Sequence, residues 1–146
     1  MLQIGTKTPE FELASSSGGK LSSADLRGHN AVVVFYPKNN TLFCNIQLAR
    51  LEKYRRQFEL SNTKVLAINS APAESHQKFC RQKHFNFPIL SDPDKKVLAQ
   101  FDAQRPNGQG VVRTVYAIDK EGKVISARRG MGKLKQLVEF MKGQSS

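Results

Sequence analysis

The pattern of apolar and polar positions along the chain predicts buried strands separated by amphipathic helices. The run AVVVFY (31–36) is apolar throughout and rich in valine, which is typical of a strand covered on both faces. KVLAIN (64–69) has the same character and predicts a second buried strand. VRTVYAID (112–119) and KVISARR (123–129) predict a hairpin, because the Glu-Gly centre of the intervening KEGK suits a tight turn. Shorter strands are predicted at EFEL (10–13) and FPIL (87–90).

Between these strands the apolar residues recur at helical spacing. After Thr41 they return every three or four positions opposite a charged face, which predicts a helix that ends near Ser61. Ser70 can cap a second helix, Pro72 is acceptable in its first turn, and this helix is expected to end near His84. Further helices are predicted around Ser23 to Arg27, at KKVLAQF (95–101) and at KLKQLVEFMK (133–142).

The order of these elements predicts an α/β protein with a thioredoxin-like fold, in which helices flank a mixed central sheet. Strand, helix, strand and helix give a parallel pair with right-handed crossovers, and the later hairpin adds an antiparallel pair. The 146 residues are expected to form a single domain, 1–146. Ligands bind beyond the carboxyl ends of parallel strands in such sheets. The stretch YPKNNTLFC (36–44), which follows the first buried strand, is therefore a candidate site.

The apolar content and the net charge of the chain bear on its location and on its binding partners. Within this sequence no window approaches eighteen apolar residues, and MLQIGTKTPE lacks the order of a signal peptide, so we expect a cytoplasmic protein without a membrane partner. The net charge of +11 would attract polyanions, but the basic residues are scattered and form no long block. We therefore expect a solvated basic surface rather than a specific nucleic-acid face, and keep a polyanion-binding or nucleic-acid-binding domain on a thioredoxin-like scaffold as the alternative.

Cys44 is the candidate nucleophile. It would lie in the first turn of its helix, where unpaired backbone N–H groups and the positive end of the helix dipole favour a thiolate. A thiolate attacks the O–O bond of a peroxide and becomes a sulfenic acid that a second thiol can convert to a disulfide. The alternative is a cysteine that packs as a small apolar residue.

Three other residues can support chemistry at Cys44. Thr41 lies three positions earlier, so its hydroxyl can share a helix face with the sulfur, although it could be a plain cap residue. Pro37 ends the strand and could shield the thiolate from water. Arg113 is expected inside the apolar strand VVRTVYAI, where burying an arginine is costly without a partner. It can hold the charge on sulfur, or it can belong to an exposed face.

These residues together resemble a known family. FYPKNNTLFC (35–44) resembles the Pro-x-x-x-Thr-x-x-Cys signature of peroxiredoxins, and RTVYAID (113–119) resembles the strand that carries their active-site arginine. The resemblance covers nearly the whole chain and is closest to the bacterioferritin comigratory protein, or peroxiredoxin Q, subfamily. It implies Cys44 as the peroxidatic nucleophile, with the site completed by residues that orient the peroxide, shield the sulfur and stabilise its charge: Thr41, Pro37 and Arg113.

The resemblance further implies a thiol-dependent peroxidase of the atypical two-cysteine type. Hydrogen peroxide and organic hydroperoxides are the implied substrates, and thioredoxin or a similar dithiol protein is the implied reductant. No metal or organic cofactor follows from it. We expect a monomer or weak dimer.

Two positions depart from the subfamily pattern. Leu42 and Phe43 stand where Pro-Gly is usual, so the rim of the pocket is expected to differ. Position 49 is Ala, where many members carry the resolving cysteine, so the resemblance assigns that role to Cys80 in the following helix, as an intramolecular Cys44–Cys80 disulfide. The alternative is that Cys80 is simply buried.

Two further alternatives are a thiol–disulfide oxidoreductase and a metal-binding protein. A thiol–disulfide oxidoreductase on the same fold lacks support because the sequence contains no Cys-x-x-Cys. A metal site is conceivable, since Cys80 and His84 are four residues apart on one helix face and His76 is near them in sequence, but no ligand-spaced cluster accompanies Cys44.

Overall fold

A seven-stranded mixed sheet with helices on both faces forms the protein. The computed structural model describes residues 1–108 and 110–144, so the predicted loop QRPNGQG (104–110) includes one residue, Gln109, outside the described part. The strands are β1 (Glu12–Ser15), β2 (Lys20–Ser22), β3 (Asn30–Phe35), β4 (Thr63–Asn69), β5 (Ile89–Ser91), β6 (Thr114–Ile118) and β7 (Val124–Arg129). The α-helices are α1 (Leu42–Leu60), α2 (Ala73–Lys83), α3 (Lys96–Gln100) and α4 (Leu134–Lys142), and a short 3-10 helix spans Ser23–Leu26.

The strand β3 lies inside the sheet, as its apolar sequence predicts. The strand order is β2-β1-β5-β4-β3-β6-β7. β3 pairs in parallel with β4 and antiparallel with β6, and every residue of β3 is buried. Because both of its faces are covered, positions 31–35 are all apolar and show no polar alternation. The buried amide of Asn30, at the start of the strand, donates to the Gln144 carbonyl. The expected mixture of a parallel pair and an antiparallel hairpin is confirmed.

The N-terminal hairpin is part of this sheet. β1 pairs antiparallel with β5 as well as with β2. The hairpin therefore adds two strands to the sheet beyond β5. The strand expected at 10–13 begins later, at Glu12, because the backbone N–H of Phe11 donates to the Ser23 hydroxyl and its carbonyl accepts from the Ser23 amide. Phe11 is thus fixed by the 3-10 helix instead of by a neighbouring strand.

Alternate residues of β3 point into two separate apolar cores. Val32 and Val34 pack with apolar residues of α1, α2 and α4 on one face of the sheet. Val33 and Phe35 pack on the other face with Phe101, which directly follows α3. The period-2 geometry of a strand explains this division. Within residues 1–108 and 110–144, no helix is long and apolar enough to cross a membrane.

The start of α2 differs from the sequence prediction. Ser70 was expected to cap this helix, but its N-cap residue is Pro72, which provides no side-chain cap. The Asn69 side chain accepts the backbone N–H of Ala71 and turns the chain before the helix starts. The prediction for Ser70 is therefore wrong because a neighbouring amide forms the local turn one residue earlier.

Gly132, between β7 and α4, offers a test of the packing against the sheet. Both Gly132 and Gly130 have positive φ, of 73° and 88°, but only at Gly132 would a Cβ atom approach a core side chain, 2.8 Å from Cγ2 of Val115. Gly132→Ala should therefore lower the free energy of unfolding by about 1–3 kcal/mol more than Gly130→Ala does. Urea denaturation of the two variants measures the difference, and equal losses would contradict the predicted clash.

Candidate active site

The pairing of β3 with its two neighbours brings the candidate site together. Phe35, the last residue of β3, lies opposite Thr114, the first residue of β6, and beside Ile68 near the end of β4. Because β6 runs antiparallel to β3, the residue just before β6 lies at the edge where β3 ends. The loop 36–41 and Arg113 therefore meet at the carboxyl end of the parallel strands.

Cys44 lies in the first turn of α1, as predicted. The helix begins at Leu42 after its N-cap residue Thr41, so Cys44 is the third helical residue. Its side chain is buried, with 1% of its surface exposed. The first backbone N–H groups of a helix have no partner within the helix, and their dipoles favour a negative charge at this position.

Arg113 contacts the sulfur of Cys44, but it does so from just outside the strand. Its Nη2 atom lies 3.4 Å from Cys44 Sγ, and Nη1 donates to Gln47 Oε1 at 2.7 Å. β6 begins at Thr114, so the placement of Arg113 within the strand is wrong. The preceding Val112 instead donates its backbone N–H to the Ala103 carbonyl. The guanidinium is half-buried, and these two contacts provide the partner that its burial requires.

Gln47 is a residue of this site that the sequence analysis missed. It lies three residues after Cys44 and is fully buried. Its amide nitrogen donates to the Met131 carbonyl at 3.2 Å, while its amide oxygen accepts from Arg113. Gln47 thereby fixes the guanidinium against Cys44. The available signal was a glutamine on the helix face that otherwise carries Leu48 and Leu51.

Thr41 and Pro37 lie in the loop that leads to Cys44. The Thr41 hydroxyl is exposed and donates to the Lys38 carbonyl at 3.3 Å, so within the described residues it is bonded to its own loop. Pro37 is half-buried and follows Tyr36 at the end of β3. Their roles as peroxide-orienting hydroxyl and shield stay predictions.

Cys80 packs at the edge of the same apolar core that contains Cys44. It is the eighth residue of α2 and half-buried, and its thiol lies 3.7 Å from the Ser16 hydroxyl. Burial raises the pKa of the Cys80 thiol, since an apolar setting disfavours the thiolate. Both cysteines are free thiols in this structure.

A cluster of polar side chains joins the loop before α1 to the start of α2. Asn39 lies at its centre: Oδ1 accepts from the Tyr36 hydroxyl at 2.5 Å and from Asn69 at 3.4 Å, and Nδ2 donates to Ser75 Oγ and His76 Nδ1, each at 3.0 Å. No sequence pattern predicted this cluster.

His76 is completely buried within this cluster. Because Asn39 Nδ2 can only donate, His76 Nδ1 accepts and the ring proton lies on Nε2. Burial lowers the pKa of His76 to about 4, so the imidazole is neutral at pH 7. The metal alternative combined His76 with Cys44, Cys80 and His84. Residues 1–108 and 110–144 contain no group of three or more His, Cys, Asp or Glu placed to hold a metal ion.

Comparison with known proteins identifies the family. The model of the AhpC/TSA family matches residues 4–127. A peroxiredoxin of Mycobacterium tuberculosis is 32% identical over 133 residues, which are 87% of this chain and 85% of that protein. The chain belongs to the AhpC/TSA family and is a peroxiredoxin. Escherichia coli peroxiredoxin Bcp is 29% identical over 129 residues, covering 84% of this chain and 83% of that one.

The fold agrees with this assignment. The structure of Xanthomonas campestris peroxiredoxin Q matches with a TM-score of 0.84 at 25% sequence identity, covering 93% of this chain and 92% of that chain. The predicted subfamily resemblance and the predicted thioredoxin-like mixed sheet are both confirmed. Peroxiredoxins are thiol-dependent peroxidases, which take a hydroperoxide as substrate and are reduced by thioredoxin-type proteins.

The rim beside Cys44 carries the departure noted in the sequence. Leu42 and Phe43 have 69% and 65% of their surfaces exposed, at the first two positions of α1. The two residues directly before Cys44 therefore expose large apolar side chains to solvent.

His76 predicts a pH dependence of stability. Its pKa is about 4 in the folded chain and ~6.5 when unfolded, so the unfolded state binds the extra proton between these values. This contribution to stability is fully present above about pH 6.5 and is lost as the pH falls toward 4. Between pH 7 and pH 5 we expect a loss of about 2 kcal/mol.

The comparison that isolates this effect is urea denaturation at both pH values for the native chain and for His76→Gln. The variant keeps a polar side chain but cannot take up the proton, so its stability should fall less between pH 7 and pH 5. The same fall in both proteins would contradict the assignment.

Proposed function

We propose that Cys44 is the peroxidatic cysteine of a thiol peroxidase that reduces hydrogen peroxide and organic hydroperoxides. The observation that carries this proposal is the contact of 3.4 Å between Arg113 Nη2 and Cys44 Sγ in the first turn of α1. A fixed guanidinium and a helix N-terminus both stabilise a negative charge on this sulfur. Burial of the side chain by itself disfavours a charge on sulfur, so both of these groups are needed to offset the loss of water.

The first step is the transfer of an electron pair from sulfur to oxygen. The Cys44 thiolate attacks the terminal oxygen of the hydroperoxide, the O–O bond breaks, and the sulfur becomes a sulfenic acid. The leaving alkoxide or hydroxide takes a proton and departs as alcohol or water. The sulfur is thereby oxidised by two electrons, and the peroxide is reduced by the same two.

Arg113 acts on the charge that moves during this step. Its Nη2 atom faces the sulfur, so it can also donate to the oxygen that leaves as the O–O bond breaks. Gln47 holds Nη1 and thereby sets the direction of the guanidinium. Thr41, exposed at the start of α1, is the hydroxyl that would meet the incoming peroxide once it turns from Lys38, and Pro37 would screen the sulfur from water.

Cys80 completes the cycle as the resolving cysteine. Its thiol attacks the Cys44 sulfenic acid, an S–S bond forms, and water leaves. Cys80 lies seven residues beyond Ala73, about 10 Å along α2 at roughly 1.5 Å per residue, whereas a disulfide needs Cα atoms within about 7 Å. We therefore expect local unfolding of one or both helices before the bond forms. Thioredoxin, or a similar dithiol protein, would then reduce the disulfide by exchange.

Exchange of each cysteine for serine separates the two roles. Reduced Cys44→Ser should consume no peroxide. Cys80→Ser should consume one equivalent and stop as a sulfenic acid, while the native chain proceeds to an intramolecular disulfide. Mass spectrometry of alkylated samples after one equivalent of peroxide distinguishes these products. A stable sulfenic acid in the native chain would reject the role of Cys80 and leave that of Cys44 intact.

Replacement of Arg113 tests the charge stabilisation. Arg113→Ala should slow oxidation of Cys44 by about 100- to 1000-fold, in the range seen when one preorganised donor is removed from a reacting centre. Arg113→Lys should lose less, because it keeps the charge but not the fork that reaches both Cys44 and Gln47. The second-order rate constant with hydrogen peroxide is the measurement, and Arg128→Ala, an exposed arginine of β7, is the matched control. Equal rates in Arg113→Ala and the control would contradict the assigned role.

A further inference from the structure

The first turn of α2 is held by side chains from another part of the chain. Its N-cap residue, Pro72, makes no side-chain cap, so the usual support for the end of a helix is missing. The contact from outside the helix is made to side chains instead: Asn39 of the loop before α1 donates to Ser75 Oγ and His76 Nδ1, both in this first turn. The loop that leads to Cys44 and the helix that carries Cys80 are thus joined through one side chain.

Asn39 uses its complete hydrogen-bonding capacity in this position. Two hydrogens on Nδ2 serve α2, and two lone pairs on Oδ1 accept from Tyr36 at the end of β3 and Asn69 at the end of β4. No shorter polar side chain at position 39 could span these three elements. The amide therefore fastens α2 to the same strand ends that position the active site.

His76 makes this attachment energetically significant. Its ring is fully buried, and within the described part of the chain Asn39 provides its one side-chain hydrogen bond, since Nε2 has no partner there. A buried polar group that loses its partner destabilises the packed state, while unfolding of the turn returns the ring to water. Loss of the Asn39 amide thus favours the open form of α2 over the folded form.

We propose that the Asn39 side chain is a latch whose release from Ser75 and His76 sets the rate at which Cys80 reaches the oxidised Cys44. This inference rests on the proposed function, in which Cys80 must leave its folded place before the disulfide forms. Asn39 is a positioning residue: its hydrogen bonds go to Tyr36, Asn69, Ser75 and His76, and not to the sulfur or to Arg113. It governs the second step of the reaction and leaves the first unchanged.

The latch also decides the fate of the sulfenic acid. While the latch is closed, Cys80 stays away from Cys44, which remains beside Arg113, so a second peroxide can oxidise the sulfenic acid to a sulfinic acid. An open latch lets Cys80 trap the sulfenic acid first. The strength of the Asn39 contacts thereby sets the peroxide concentration at which the enzyme is inactivated.

The test measures both steps of one turnover in the reduced, full-length chain. After mixing with one equivalent of hydrogen peroxide, peroxide loss reports the first step, and quenching by acid and alkylation followed by mass spectrometry reports disulfide formation. Asn39→Ala should speed disulfide formation about ten-fold or more, while the first step changes less than about three-fold. Its sulfinic acid should accumulate only at higher peroxide concentrations than in the native chain.

Two variants within α2 serve as comparisons. Ser75→Ala removes one of the two latch contacts from the helix side and should give a smaller increase than Asn39→Ala. Gln77→Ala removes the side-chain amide of the residue after His76. The Gln77 side chain makes no hydrogen bond within residues 1–108 and 110–144, so the rate of disulfide formation should not change. Equal disulfide rates in Asn39→Ala and Gln77→Ala would overturn the latch.

Hydrogen–deuterium exchange keeps this test separate from the role of Cys80. In the reduced protein, the backbone amides of α2 should exchange about ten-fold faster in Asn39→Ala, while those of β3 and β4 are unchanged. If no disulfide forms even in the native chain, the resolving role of Cys80 fails, and the rate-setting role of Asn39 falls with it. If the disulfide forms but neither its rate nor the exchange of α2 responds to Asn39→Ala, the latch alone is refuted.

Discussion

The antiparallel register between β3 and β6 is the constraint on which the site depends. Phe35 lies opposite Thr114, so the guanidinium of the preceding residue, Arg113, is delivered to the point where the chain leaves β3 and enters α1. A slip of one residue would turn every side chain of β6 to the other face of the sheet. Two separate apolar cores prevent such a slip, because alternate residues of β3 and β6 are buried on both sides.

The two cysteines occupy different chemical environments, and in the proposed function this difference sets the order in which they react. Cys44 faces a cation at a helix N-terminus, where a thiolate is stabilised. Cys80 faces a serine hydroxyl in a partly apolar setting that raises the pKa of its thiol. In the proposed reaction the peroxide meets the sulfur of Cys44 first, and the Cys80 thiol is protected until its helix opens. In the proposed function, the cysteine that reacts with peroxide and the cysteine that resolves the sulfenic acid therefore lie on different helices, α1 and α2.

Most of the fold was accessible from the sequence because its signals are local. AVVVFY and KVLAIN are buried on both faces, so their apolar runs predict β3 and β4 to within a residue. The helix between them was predicted from its spacing, whereas the cap at Ser70 was wrong because Asn69 forms the turn first. The basic surface as a binding site for polyanions stays a prediction.

The site was accessible only in part, for a physical reason. Cys44 and Arg113 are 69 positions apart, and it was the chemistry of a buried arginine and then the resemblance to a family, not periodicity, that joined them. Gln47 and Asn39 depend on partners from distant elements, such as the Met131 carbonyl and His76, and no local pattern records such partners. A polar residue on a buried helix face was the one local hint, and it applied to Gln47 alone.

The strand order also has a consequence for how molecules of this protein meet. The outermost strands are β2 and β7, and an exposed edge strand can template a sheet between chains. The edge of β7 is covered at its start, where the Val124 N–H donates to the Thr6 carbonyl and the Val124 carbonyl accepts from Gly5. β2 is only three residues long, and β7 ends in the exposed pair Arg128 and Arg129. The short length of β2 and the charge at the end of β7 both disfavour edge-to-edge pairing between chains. The two outer edges of the sheet are therefore protected against aggregation.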